Sequence, residues 1–487
     1  MSKVLLRWVA TLMLWASAMA VAQTSLPAPV AQALANAGIP EGAVSVYVQE
    51  VDGGRPAVSF GADRALNPAS TIKLVTTYAA LDLLGPAYTW NTEVYASGAL
   101  QREVLNGNLL LKGYGDPKLT LENFWLLLRN VRARGVRDIR GELVLDRSYF
   151  AREDNDPSRF DDQPTRPYNT PPDALLVNYK AITVQFVPET DGKAVRLLVE
   201  PALPAVQVVG NVVATDGPCG DWVSRLKIEP QGNGAVARLA ISGPYPRDCG
   251  ERTRSFSLLS HPRYVGALFG ALWQELGGSY SGTVREDTVD PSTARLLATA
   301  KSPTLSEVVR DINKFSNNVM ARQLYLTLGG VSAGAPATLE KARAAVQTWL
   351  AQKRIDAPEL VLENGSGLSR AERISARTMA RLLLDAYRSP VMPEFIASLP
   401  LVAVDGTMRK RLGNAGVAGR AHIKTGTLTG VRAIAGYVLD ARDVRHVVVF
   451  MVNHPNAAAA QAAQDALLKW VYDRDVAVAT SRRKRDP

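Results

Sequence analysis

Four histidines and two cysteines among 487 residues leave little material for metal or redox chemistry. A zinc cluster of the Cys-x-x-Cys type is absent, because Cys219 and Cys249 stand alone and far apart. Positive charge is not concentrated in one arm: the excess of +10 is spread along the chain, which favours anionic surroundings over sequence-specific nucleic-acid binding. No apolar run after Ala22 is long enough to span a bilayer. What the chain does have is 47% hydrophobic and 21% charged residues, which excludes a disordered protein and supplies several cores. At roughly 100 to 200 residues per compact unit, its length predicts two to four of them.

Lys3 and Arg7, the apolar run of fifteen residues from Trp8 to Ala22, and the small triplet Ala20, Val21, Ala22 before Gln23 read as a cleaved secretory signal. A permanent anchor would need about 20 apolar residues. Cleavage would bring the net charge from +10 to +8. Export implies an oxidising compartment, in which Cys219 and Cys249 can bridge and close a loop of about 30 residues.

Val44 to Val51 and Pro56 to Phe60 predict a hairpin around Asp52-Gly53-Gly54, and Asn67-Pro68-Ala69-Ser70 opens a helix running to Leu84. Short strands follow at Glu93 to Tyr95, Leu109 to Lys112 and Glu142 to Leu145, around one helix, Leu121 to Arg134. A proline-rich loop spans Pro157 to Pro172, and Ala181 to Ser242 reads as a small all-β unit. Helices return at Leu305 to Ile312, Ser316 to Leu328, Leu339 to Lys353 and Ala376 to Arg388. Strands at Ala421 to Thr425, Val431 to Leu439 and Arg445 to Asn453 precede a last helix, Asn456 to Tyr472. Hairpin and helix at one end, strands and helix at the other, predict one sheet built from both termini, with the middle inserted. The basic stretch Ser481 to Arg485 reads as a solvated tail.

Ser-x-x-Lys occurs at Ser70, Ser224 and Ser481, so the pattern alone decides nothing. Ser224 falls in an expected strand, where this spacing sends the two side chains to opposite faces, and Ser481 falls in the tail. Ser70 sits in the first turn of a helix with Asn67 as N-cap and Pro68 at the first position, so Lys73 stacks on the same face. The Ser70 N–H is then an unpaired donor at a positive helix terminus, suited to a developing oxyanion. Two further patterns each occur once: Ser316-Asn317-Asn318, opening a helix, and Lys424-Thr425-Gly426-Thr427, ending a strand.

Ser-x-x-Lys, Ser-x-Asn and Lys-Thr-Gly in this order form the signature set of penicillin-recognising serine acyltransferases. The chain resembles the class C low-molecular-mass penicillin-binding proteins, the D-alanyl-D-alanine carboxypeptidase and endopeptidase family. The likeness extends to Gly113-Tyr114-Gly115-Asp116-Pro117, Asn364-Gly365-Ser366-Gly367-Leu368-Ser369 and Asp405-Gly406-Thr407, and the 246 residues between Ser70 and Ser316 match a family with two domains inserted there. The resemblance implies an α/β (α+β) transpeptidase-like domain from 23–90 and 290–478, its antiparallel sheet flanked by helices. It places a signal at 1–22, a first insertion at 91–175 and 251–289, a small all-β insertion at 176–250, and a basic tail at 479–487.

On this reading Ser70 is the nucleophile and Lys73, if neutral, its base, with burial and the Lys424 charge lowering its pKa. Ser316 would relay a proton to the leaving amine, and Asn318 would hold Lys73 and a substrate amide. Lys424 and Thr425 would bind a terminal carboxylate, Gly426 would allow close backbone approach, and the Thr427 N–H would complete the oxyanion hole. The family also places an acid near the substrate's diamino acid, here Asp162. The resemblance implies a secreted, periplasmic serine DD-peptidase acting on peptidoglycan stem peptides as carboxypeptidase and endopeptidase, acylated by β-lactam antibiotics. No metal or organic cofactor and no nucleic acid enters, and membrane contact is at most peripheral.

Four readings compete. Gly330-Val331-Ser332-Ala333-Gly334 matches a nucleophile elbow but follows a helical run rather than a strand, which makes it an interhelical loop. A Ser-His-Asp triad would have to use His261, His422, His446 or His454, of which only His422 shares a strand face with Lys424. A β-lactamase of class A type would need a Glu-x-x-Leu-Asn arrangement, and none lies between Ser70 and Lys424. A non-catalytic cell-wall binding module would usually have lost Ser70, Lys73 or Lys424, and all three are present.

Overall fold

The computed structural model describes residues 25–152, 156–189, 192–232 and 236–483, with side chains to residue 474. The expected signal segment and the side chains of the basic tail lie outside these residues. Five antiparallel strands form the central sheet in the order Ala421–Leu428, Val431–Leu439, Arg445–Asn453, Val44–Glu50, Pro56–Phe60. The two ends of the chain meet where Val46 pairs with Phe450.

These strands read as nearly continuous apolar runs because both faces are covered. Tyr47, Ala435, Val447 and Val449 point to one side, where they pack with Leu74, Ile312, Leu324, Trp349 and Met379 from five helices. Val46, Ile423, Ile434 and Phe450 point to the other, against Leu34 of helix Ala28–Asn36 and Leu467 of helix Gln461–Arg483. Helix Ala28–Asn36, helix His261–Glu275 and helix Met392–Ser398 were not predicted. The first and last are short, and a proline at the N-terminal end of each of the three masks the periodic pattern. Among the described residues no helix is long and apolar enough to cross a membrane.

The inserted middle has its own core, in which Leu111, Leu128, Phe186, Leu239 and Trp273 belong to one cluster. A seven-stranded sheet is built on Asn91–Gln101 paired with Val104–Gly113, and two three-stranded sheets lie between 182 and 256. Strand pairing moves two expected boundaries. Arg295–Lys301, expected in the main unit, pairs with Asn91–Gln101, and Arg252–Phe256, expected in the first insertion, pairs with Ile182–Pro188. Backbone pairing couples residues far apart in sequence, which local composition does not register.

Four local expectations are corrected. Ser70 lies on a 3-10 turn, Ala69–Ile72, and the α-helix starts only at Lys73. Ser316 does not open its helix: its φ is 56°, outside the helical region, and Asn317 caps Asn318–Ala333 by accepting from the Met320 N–H at 3.1 Å. Ser224 is on a 3-10 turn rather than a strand, with its hydroxyl on the Asp221 carbonyl at 2.9 Å. Gly330 to Ala333 form the last turn of that same Asn317-capped helix rather than a loop, with Gly334 as its cap.

Cys219 and Cys249 are joined, and no cysteine is free. The bridge flanks a ring cluster of Phe186, Trp222 and Tyr245. Thiol titration of the denatured, unreduced protein is expected to find no free thiol. Replacing both cysteines by serine should lower the insertion's stability by about 3 to 4 kcal/mol, read as an earlier urea transition, since the bridge closes a loop of 30 residues. An unchanged transition would show that the cross-link contributes nothing to it.

Candidate active site

Asn67 fixes the turn that carries Ser70. Its Oδ1 accepts from the Ala69 N–H at 2.8 Å, its Nδ2 donates to the Ser369 carbonyl at 2.9 Å, and its backbone exchanges two hydrogen bonds with the Asn453 side chain. Ala69 is thereby held at φ 45°, a strained value for a residue with a Cβ. On a 3-10 turn side chains three apart eclipse, so Lys73 stands directly over Ser70. The Ser70 N–H belongs to the first turn, where backbone donors lack intrahelical acceptors.

Lys73 Nζ lies 3.0 Å from Ser70 Oγ and 2.6 Å from Asn318 Oδ1, and also touches the Ser366 carbonyl oxygen. Lys424, on the edge strand, places Nζ 2.8 Å from Ser316 Oγ and 2.8 Å from its neighbour's carbonyl, Thr425 O. Both lysines are fully buried. Burial holds Lys73 well below the usual ammonium range; the Lys424 charge lowers it further, while Glu372 pulls it up. Burial alone brings Lys424 to about 7.

Two glycines let three segments converge on Ser70. A Cβ on Gly426 would lie 2.6 Å from the Pro68 carbonyl and 3.1 Å from the Ser70 nitrogen. One on Gly367, at φ 83°, would lie 2.2 Å from the Ala69 carbonyl oxygen. Thr425 shares a hydrogen bond with Thr407 at 2.8 Å, joining the Lys-Thr-Gly strand to the Asp405-Gly406-Thr407 loop. Thr427 is exposed, and its hydroxyl accepts from Arg432 at 2.7 Å.

Glu372 was not anticipated. It is fully buried, and its Oε1 accepts from the N–H groups of Asn364 and Gly365 at 3.2 and 3.0 Å, fixing the loop whose Ser366 carbonyl holds Lys73. Burial pushes its carboxyl up to about 7, against those two N–H groups and the Lys73 charge. Eight residues separate it from Asn364, and a lone glutamate past a glycine loop carries no pattern that sequence reasoning could use. Arg370 is also new: it donates to the Thr429 carbonyl at 2.9 Å and sits 4.9 Å over the Phe160 ring of the proline-rich loop.

Other candidates stay apart from this cluster. Asp162 is exposed at φ 56° and makes none of these contacts, while neighbouring Asp161 is engaged by Tyr168 and Asn169 at 2.6 and 2.7 Å. The acid of that loop lining the cavity beside Arg370 is Asp156. His422 shares the face of Lys424, since Ala421 and Ile423 belong to the opposite core, but it has no hydrogen bond to Ser70 or Lys73. His261 contacts the Pro171 carbonyl, His446 pairs with Asp440, and His454 accepts from the Asn456 N–H. Lys227 pairs with Glu229 at 2.9 Å, and Ser332 is exposed on its helix.

Residues 26–473 match the model of the D-Ala-D-Ala carboxypeptidase 3 (S13) family. The chain belongs to the S13 family. It is 32% identical over 424 residues to a D-alanyl-D-alanine carboxypeptidase of Actinomadura sp. (strain R39), covering 82% of this chain and 76% of that protein. It is 26% identical over 419 residues to the D-alanyl-D-alanine carboxypeptidase DacB of Haemophilus influenzae, covering 85% and 86%. The crystal structure of penicillin binding protein 4 (dacB) from Haemophilus influenzae superposes with a TM-score of 0.75 at 25% identity, over 90% of this chain and 99% of that one. The S13 likeness therefore extends through both insertions, and the mixed α/β fold is that of a multidomain penicillin-binding protein.

Charges of opposite sign beside Lys73 should move its titration in opposite directions. Lys424→Met removes a cation, so Lys73 loses its proton at higher pH; Glu372→Gln removes an anion, so Lys73 loses it at lower pH. The rate at which Ser70 reacts with an acylating reagent, followed against pH, should show its rising limb displaced to the alkaline side in the first variant and to the acid side in the second. Displacement of both in one direction would show that structural damage, not charge, sets the profile.

Proposed function

We propose that this S13 protein is a serine-type D-Ala-D-Ala carboxypeptidase and endopeptidase that acts on peptidoglycan stem peptides through an acyl-enzyme at Ser70, and that penicillins acylate the same oxygen. The observation that carries this reading is the coordination of Lys73. Two of its three partners, Asn318 Oδ1 and the Ser366 carbonyl, can only accept hydrogen bonds there. A neutral amine has two N–H bonds and one lone pair, so once both carbonyls are served the lone pair is left for the Ser70 hydroxyl at 3.0 Å. Burial and the Lys424 charge favour that neutral form.

The Ser70 oxygen then attacks the carbonyl of the penultimate D-alanine as its proton passes to Lys73. The Ser70 and Thr427 N–H groups receive the developing oxyanion, worth roughly 3 to 4 kcal/mol per donor in comparable sites. Ser316, held by Lys424, returns a proton to the departing amine. Lys424, Thr425 and Thr407 present an ammonium and two hydroxyls to the terminal carboxylate. Asp162 is retained as a candidate contact for the diamino acid only if the proline-rich loop shifts, since it is exposed and outside the adjoining cavity. We also propose that the protein is exported to the periplasm, and that the sheet built from both chain ends forms the catalytic unit with the two insertions packed as one body beside it.

Digestion of purified peptidoglycan with identification of the released products by mass tests the reading: free D-alanine and separated cross-linked stems are expected. Ser70→Ala and Lys73→Met should each lower turnover by about 10⁴-fold or more and not add when combined, because nucleophile and base act as one unit. Intact-mass analysis should show one long-lived penicillin adduct, lost in Ser70→Ala. Near-normal turnover by Ser70→Ala would remove the mechanism, and rapid return of the penicillin adduct to free protein would make the protein a β-lactamase instead.

A further inference from the structure

A second polar cavity, of about 710 Å³, lies within the insertions, and the reaction at Ser70 makes no use of it. Its walls are the turn after strand Leu143–Asp146, the proline-rich loop and the residues leading into helix His261–Glu275. Arg147, Arg152, Lys180, Ser257, His261 and Glu286 supply its polar lining.

The charges are unevenly paired. Arg147 donates to Asp173 at 2.8 Å and to Glu286 at 2.8 Å, and Arg152 reaches Glu286 at 2.5 Å, so each carboxylate in the wall is already matched by an arginine. Lys180 is different. It is buried, and its Nζ donates one hydrogen bond, to the Leu259 carbonyl at 2.7 Å, with no carboxylate at ion-pair distance among the described residues. An ammonium has three N–H donors, so two are left. Burial lowers Lys180 to about 8, with Asp173 opposing and Arg147 assisting, which leaves it charged at neutral pH.

The backbone that carries Lys180 is sharply turned. Asn178, Tyr179 and Lys180 have φ of 45°, 53° and 53°, three consecutive residues in a region that side-chain-bearing residues rarely occupy. Asn178 and the Ala181 carbonyl are both tied to the Tyr264 hydroxyl, at 2.9 and 2.8 Å, which secures the turn. Ser260, His261 and Pro262 begin a fifteen-residue helix without a side-chain cap, and all three line the cavity, adding the positive end of a helix. The buried Ser257 hydroxyl has no hydrogen-bond partner and is free to donate, whereas His261, with Nε2 on the Pro171 carbonyl and Nδ1 3.9 Å from Asp173, adds no donor.

The cavity also adjoins another that lies against the loop holding Lys73. It shares Pro157, Pro171 and Pro172 with a cavity of about 370 Å³ whose far wall is Asn364, Ser369 and Arg370, from the loop that holds Lys73. Asp173 exchanges two backbone hydrogen bonds, each 2.8 Å, with the Gln323 side chain on the helix that Asn318 begins. A chain lying across the three prolines would thus run from the loop that follows Asn364 to the Lys180 cavity.

We propose that this cavity is a carboxylate-binding subsite that takes an acidic group of a peptidoglycan stem remote from the bond cleaved at Ser70. This rests on the peptidase reading of Ser70 and adds a substrate class to it: cross-linked stems with free carboxylates over short peptides.

Wild-type protein can be given two cross-linked stem dimers that differ only in whether the carboxylates remote from the scissile bond are free or amidated, and a short acyl-D-Ala-D-Ala peptide as reference. The free-carboxylate dimer should have the higher kcat/KM by about tenfold, the scale of one lost charge-assisted hydrogen bond. Lys180→Met should erase that preference, Lys180→Arg should keep part of it, and neither should alter cleavage of the short peptide. Equal kcat/KM on the two dimers with wild-type protein, or a Lys180→Met loss shared equally by the short peptide, overturns the subsite while leaving the peptidase reading intact. Failure of wild-type protein to cleave any of the three substrates overturns both.

Discussion

Two lysines buried beside one serine, Ser70, set the terms for everything around them. Taking an ammonium out of water penalises its charge by several kcal/mol, and a second cation nearby adds to the penalty. Such a pair persists only if the walls supply acceptors and a compensating charge. Lys73 has the Asn318 amide oxygen and the Ser366 carbonyl, Lys424 has Ser316 and its neighbour's carbonyl, and buried Glu372 supplies one negative charge a shell away. Because Glu372 is itself pushed up to about 7, the region does not settle into fixed ion pairs. These displaced ionisations mark the cluster as a functional-site candidate, one that needs its groups held in fixed positions.

That requirement explains why so much strained and close-packed backbone lies here. Ala69 and Ser316 both occupy positive φ, at 45° and 56°, and each precedes or carries a site hydroxyl. Gly367 and Gly426 press on the Ser70 turn from two sides where any Cβ would collide. Strain of about 1 to 3 kcal/mol per residue survives only when its surroundings over-determine it. The Asn453 side chain bonded to both backbone groups of Asn67, the Asn67 side chain bonded to Ala69 and Ser369, and the bond from Thr76 to the Gly365 carbonyl at 2.7 Å supply that determination.

How much of this was legible depended on whether a feature is local. Ser70 with Lys73, Ser316 with Asn318, and Lys424 with Thr425 each sit within one turn or one strand, so their spacing was readable, and the meeting of Lys73 with Asn318 across 245 residues was implied by the family resemblance that the three motifs carry. The sheet was legible for a similar reason: both chain ends carry apolar runs that only a sheet covered on two faces can bury. Glu372, Arg370 and the carbonyl of Ser366 were not legible, because a backbone acceptor has no residue signature and single charges gain meaning only from what folds against them. The 3-10 turn at Ser70 was missed because Asn-Pro predicts where a helix begins and not its pitch.

The long insertion between Ser70 and Ser316 poses a mechanical problem that the structure solves without covalent help near the site. A disulfide braces the β-rich insertion, far along the chain from the motifs. The link to the cluster around Ser70 is polar: Gln323 grips the backbone of Asp173, Asp173 accepts from Arg147, and Arg370 holds both Phe160 and the turn after the Lys424 strand. Side-chain bonds of this kind contribute about 1 kcal/mol each and more when charged, enough to keep a loop in register but not to weld it. A joint made of a few hydrogen bonds and one ring contact holds the proline-rich loop against the Ser366 loop, while the insertions keep a core of their own, so the two units are registered to each other without sharing one core.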